Sequence, residues 1–154
     1  MEPALLINQL STTEILQGKG REGIKILHAG DLTLACRKYV HGGLLRTFTG
    51  DIFFSSKRAL QEMGALLYLR EKGFPAIEPF CVIVEKRFFA KTLYLVTVFK
   101  KDASDLLEFL RISRQMARFR ALRRVAHLLF SLELLGVYHP DLHLNNILIT
   151  PEKT

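Results

Sequence analysis

The chain has no tryptophan, only two cysteines and five prolines, and no long apolar run among its 154 residues. Each scarcity excludes something. Cys36 and Cys81 lie far apart in apolar surroundings, so no disulfide framework or cysteine-based zinc spacing can be built; they read as buried thiols in a reducing compartment. No stretch approaches the roughly 18 consecutive apolar residues that a membrane-crossing helix needs. Met1 to Leu10 lacks the basic start and apolar core of a secretory leader, which gives the expectation of a cytoplasmic protein. Repeats and low-complexity segments are also missing, so solenoid and disordered classes are disfavoured.

What remains is a globular composition, 49% hydrophobic and 24% charged, at a length that suits one folded domain with a sizeable core. The formal net charge is +7, and the excess is concentrated. Arg111, Arg114, Arg118, Arg120, Arg123 and Arg124 fall within fourteen residues, interleaved with Ile112, Met116, Phe119 and Leu122. The stretch from Ser104 to Leu135 reads as one long helix or two joined ones, apolar on one side and arginine-rich on the other, with a cap at Ser104–Asp105 and a stop at Gly136. Arg111, Arg114 and Arg118 are the ones expected to be available to an anionic membrane or acceptor. Charge alone would also suit nucleic acid, but no reading motif accompanies it, and none is expected as a partner.

The densest chemical signal is the segment from Tyr138 to Ile149. His139, Asp141 and Asn146 stand in the pattern H-x-D-x-x-x-x-N, followed by the apolar run Ile147–Ile149, as in a kinase catalytic loop. A short loop anchored by a buried strand can present an acid to an attacking hydroxyl and an amide to a Mg²⁺ ion at fixed separation. Two other readings compete. Asp141 after Pro140 could cap a turn, and His139 with His143, four residues on, could share a metal. In the kinase reading His139 braces the loop.

Upstream, Gly18, Gly20 and Gly23 form a G-x-G-x-x-G run leading into a strand from Ile24, where backbone N–H groups could approach phosphate oxygens without an obstructing Cβ. Alternation along Leu32–Tyr39 places Ala35 and Arg37 on one face and Leu34 and Cys36 on the other. That is the register in which a small residue lies over a nucleotide and a cation reaches its phosphates, here with Arg instead of Lys. A helix over 55–72 follows, with apolar positions Leu60, Met63, Leu66, Leu67 and Leu69 and a stop at Gly73; its Glu62 is the candidate partner of Arg37. Phe80–Glu85 and Thr92–Phe99 read as a hairpin, leading to a hinge near Phe99–Asp102.

With these residues in place the chain resembles the bacterial lipopolysaccharide kinases typified by the 3-deoxy-D-manno-octulosonic acid (Kdo) kinases. The resemblance is carried by Arg37–Leu44, by Arg58-Ala59-Leu60-Gln61-Glu62, by Gly73–Pro79 with Ile77 at a usual proline position, and by Gly136–Leu142. It implies an α+β protein-kinase-like fold: a small antiparallel-sheet lobe with one helix over residues 1–102, and the start of a helical lobe over 103–154. It implies ATP and Mg²⁺ as cofactors and a sugar hydroxyl on a lipid A–Kdo type glycolipid as acceptor, at the cytoplasmic face of the inner membrane. Asp141 would be the base or hydroxyl-orienting residue and Asn146 the metal ligand. Arg37 with Glu62 would clamp phosphate beneath Gly18, Gly20 and Gly23, with Ala35 against the nucleotide. The sequence stops eight residues after Asn146, before the second metal-binding acid that the resemblance leads one to expect about a dozen residues after that Asn. The expectation is therefore a truncated helical lobe and little or no activity from this chain. A degenerate kinase fold used for binding or regulation is the alternative, and a kinase for another small-molecule or protein hydroxyl a third.

Overall fold

The computed structural model describes residues 15–16, 24–39, 55–88, 90–139 and 142–150. The chain divides into two compact units, residues 1–99 and 100–154. In the first, β1 (Ile15–Leu16), β2 (Ile24–Ala29), β3 (Leu32–Lys38), β4 (Pro79–Arg87) and β5 (Ala90–Val98) form one sheet in the order β1-β2-β3-β5-β4. Every pairing is antiparallel. The strands are rich in Val, Ile, Leu and Thr, which suit a pleated, half-buried surface. Gly30, at φ +61°, makes the tight turn between β2 and β3 possible. The longer β4–β5 hairpin turns at Phe88, which takes a left-handed φ of 45° with its side chain in solvent.

Alternation sorts the sheet into two faces. Leu27, Leu34, Cys36, Ile83 and Val96 form one cluster. Tyr39, Leu93 and Leu95 form the other, together with Ala59 from α1 (Lys57–Glu71), the helix packed on that side. α1 is built from good helix formers and ends in a left-handed Gly73. There Phe74 N–H donates to Leu69 O and Gly73 N–H to Arg70 O, closing the last turn. The expected apolar stripe is only half right. Leu69 is buried and Met63 and Leu66 pack on the cluster, but Leu60 and Leu67 are exposed. They sit about a quarter turn from Ala59 on the flank opposite Leu69, so the sheet covers only one side of the stripe.

The second unit is built around Leu106, which is fully buried. β6 (Ser104–Asp105) pairs with β7 (Leu148–Ile149), and Leu106 N–H donates to Ile147 O at 2.8 Å. Asp105 caps α2 (Leu106–Ile112) by accepting from Glu108 N–H at 2.8 Å. α3 (Gln115–Leu134) follows, and Gly136 closes it by the same left-handed device as Gly73. The 104–135 stretch is thus two helices. α3 buries the small residues Ala121 and Val125 against Leu106, whereas Met116, Phe119, Leu122, Phe130 and Leu134 remain exposed. No helix among the described residues is long and apolar enough to cross a membrane.

Both cysteines are free, and Cys36 is buried. Burial pushes its thiol up to about 12 from 9.0, because the thiolate would be desolvated. The sign follows: folding favours the protonated thiol, so this contribution is complete below pH 9 and is lost as pH rises towards 12. Unfolding free energy by urea titration should therefore fall with pH above about 9, and Cys36→Ala should flatten part of that fall. An identical pH profile in the variant would contradict it.

Candidate active site

In the first unit β3 determines which side chains meet. Its register sets Ala35 opposite Thr97 and Arg37 opposite Leu95 on β5. Ala35, Arg37 and Tyr39 therefore share the face that carries α1, and Lys38 lies on the other. Across 25 residues of sequence, the Arg37 guanidinium donates to Glu62 Oε1 on α1. The pair is half in solvent, with side-chain exposures of 51% and 37%. An ion pair that open is worth only ~0–1 kcal/mol and would not by itself hold two long side chains in one arrangement.

The anchor is Tyr39. It is 4% exposed, its backbone N–H donates to Leu93 O at 2.9 Å, and its hydroxyl donates to Glu62 Oε2 at 2.6 Å. A hydrogen bond to a charged acceptor is worth ~1.5–3 kcal/mol, more than the exposed ion pair. The same ring lies under two guanidiniums, Arg37 at 5.4 Å and Arg58 at 5.6 Å from its centroid. Burial first, then donation to Glu62, raises the phenol well above its ordinary value, so it stays a donor at any physiological pH. Periodicity alone does not single out Tyr39; its spacing two residues after Arg37, on the same face, is the signal that could have.

In the second unit a 3₁₀ turn, Leu144–Asn146, carries Asn146. His143 holds the start of this turn: its Nδ1 accepts from Asn145 N–H at 3.2 Å and its carbonyl from Asn146 N–H at 2.9 Å. Ile147 and Ile149 then pack on the Leu106 cluster, which fixes the loop's far end. His143 thus works as a turn-former. No group of three metal-ligating side chains occurs among the described residues, so the His139–His143 metal reading finds no support there. His139 is exposed and makes no hydrogen bond among the described residues. Asp141, Gly18, Gly20 and Gly23 lie outside the described residues.

In the arginine-rich stretch one side chain has partners within the chain. Arg118 is committed to structure. Its Nε donates to Ser113 O at 2.7 Å and its Nη2 to Arg111 O at 3.2 Å. It thereby satisfies carbonyls where α2 ends, a place where cations are favoured. Those two N–H groups are thereby engaged, although the side chain is exposed. Arg120 and Arg124 line a shallow concavity with Asp102, Ser104, Phe109 and Thr150.

The lipopolysaccharide kinase (Kdo/WaaP) family model matches residues 7–154. The chain belongs to that family. No curated protein and no solved structure gives a significant match. For a Kdo/WaaP family chain, the antiparallel sheet and the helices are the small lobe and the start of the helical lobe of a kinase-like fold. The phosphate half of an ATP site fits what is present, since Arg37 keeps half its surface in solvent while Glu62 stays fixed beside it. For a metal, the described part of the catalytic-loop motif offers the carboxamide oxygen of Asn146, a hard donor of the kind Mg²⁺ takes.

His143→Leu should release this turn. Amide exchange at Asn145 is expected to quicken about fivefold for a lost ~1 kcal/mol hydrogen bond, as read by hydrogen–deuterium exchange. Unchanged protection would show that His143 is not the holding group.

Proposed function

We propose that this Kdo/WaaP family chain carries the nucleotide-binding and catalytic-loop parts of an ATP-dependent kinase. Its acceptor would be a sugar hydroxyl of the lipopolysaccharide inner core, a Kdo or heptose on a lipid A precursor. The observation that carries this reading is the Arg37–Glu62 pair. A cation on the third strand meets an acid on the following helix, upstream of an H-x-D-x-x-x-x-N loop, in the order phosphoryl transfer uses.

In this reading Arg37 engages phosphate oxygens and Glu62 keeps it aimed at them. Ala35 leaves room for the nucleotide, and Gly18, Gly20 and Gly23 offer backbone N–H groups. Asp141 accepts the acceptor's proton while that oxygen attacks the γ-phosphorus and the bond to the β-bridging oxygen breaks, releasing ADP. Asn146 would help hold Mg²⁺, which when bound neutralises charge on the phosphates. Arginine in place of lysine gives a planar fork, suited to bidentate contact with phosphate.

The acceptor class motivates a peripheral position at the cytoplasmic face of the inner membrane. Exposed Met116 and Phe119 beside Arg120 and Arg123 on α3 support contact with an anionic lipid surface.

Calorimetric titration of the chain with ATP tests the reading. Affinity should be about tenfold tighter with Mg²⁺ than without it, a difference of ~1.4 kcal/mol. Mg²⁺-independent affinity would favour the binding-module alternative. In a protein that turns over, Asp141→Asn should lower kcat by ~100-fold or more with KM for ATP little changed; wild-type turnover would remove Asp141 from the chemistry.

A further inference from the structure

The cluster on the helix-bearing face of the sheet contains more positive charge than the Arg37–Glu62 pair needs. Arg37 and Arg58 both lie over the Tyr39 ring, and Glu62 is the carboxylate among them. Each of its oxygens already has a donor, Oε1 from Arg37 and Oε2 from Tyr39. Arg58 is exposed and, among the described residues, pairs with no acid. It stands one helical turn before Glu62 on α1, close enough for an i,i+4 ion pair, yet it stacks on the aromatic ring. The first turn of α1 contains no acidic residue to balance it.

Two guanidiniums held on one ring, with a single counter-charge among the described residues and that one already engaged, make a cationic pair whose unused N–H groups suit an oxyanion. The ring is the rigid part. It is buried and bonded through both its backbone and its hydroxyl, whereas the two arginines are exposed and would otherwise sample many rotamers.

We propose that Tyr39 organises Arg37 and Arg58 into one two-guanidinium site for the phosphate chain of a nucleotide. Arg58 is the second phosphate-binding cation, and Tyr39 the positioning residue that fixes Glu62 and through it Arg37. The inference rests on the nucleotide reading of Arg37 and adds two residues to it. The ligand chemistry is a polyphosphate. ATP and inorganic tripolyphosphate are its two sources, and they are distinguished by whether the base and ribose add affinity.

The test uses the whole chain and three variants: Arg58→Gln, Tyr39→Phe (which keeps the ring) and the double variant Tyr39→Phe/Glu62→Gln. Calorimetry measures affinity for Mg·ATP and for tripolyphosphate, and NMR follows exchange of the Arg37 Nε–H. Arg58→Gln should weaken both ligands by about fivefold or more without lowering Tm. Tyr39→Phe should weaken both similarly and quicken Arg37 Nε–H exchange. The double variant should be little worse than Tyr39→Phe, because the two changes break one linkage. Unchanged affinity in Arg58→Gln removes Arg58 from the site. A lower Tm in Tyr39→Phe with unaltered affinity and exchange reduces Tyr39 to a packing residue. If wild-type chain binds tripolyphosphate but gains nothing from the base and ribose, the two-guanidinium site stands and the nucleotide reading falls. If it binds neither ligand, both fall.

Discussion

One strand's alternation against one helix governs the first unit. Because β3 is extended, residues 35, 37 and 39 must face the same way, and that way is towards α1. Leu34 and Cys36 are thereby committed to the opposite cluster, while Tyr39 is driven into the cluster with Ala59, Leu93 and Leu95. Burial of that ring then has a polar consequence. Its hydroxyl must find an acceptor, and Glu62 supplies one. The carboxylate so fixed receives Arg37. Packing of the sheet is thus converted into the aim of an exposed cation. A β3 slipped by one residue would put Lys38 where Arg37 stands and would break every link in that chain.

The second unit applies a similar economy to its loop. A two-residue ribbon, β6 with β7, ties the start of α2 to the strand after Asn146. Asp105 serves twice, pairing in the ribbon and capping the helix. Leu106, Ile147 and Ile149 share one apolar cluster, so the segment after the turn is anchored although Asn146 itself is exposed. The arginines differ in what they do. Arg118 closes α2, while Arg120 and Arg124 border a concavity.

Much of this is legible in the residues because the signals are local. Gly73 and Gly136 end their helices through the left-handed conformation that only glycine adopts without cost. β-branched and aromatic runs mark β4 and β5. The Arg37–Glu62 pair could be anticipated because strand register and helix position are each set over short spans. Other features depend on choices made at a distance. Leu60 and Leu67 fit an apolar helical stripe as well as Leu69 does, and only which flank of α1 meets the sheet decides between them. The apolar spacing runs unbroken through Ser113–Arg114, so neither the helix boundary there nor Arg118's role in sealing it was readable. Met116 and Phe119 look like core in sequence, yet the core at α3 takes the small residues Ala121 and Val125. Tyr39 is half readable: alternation gives its face, but not that its hydroxyl would be the anchor.

The account stands on the claim that the tyrosine-fixed acid aims Arg37 at the phosphates of a nucleotide. The most direct measurement is a crystal structure of the chain with Mg²⁺ and a non-hydrolysable ATP analogue. It should place an Arg37 guanidinium nitrogen within ~3 Å of a phosphate oxygen, with the Tyr39–Glu62 hydrogen bond intact. Phosphates bound elsewhere, with Glu62 turned away from Tyr39, would contradict it.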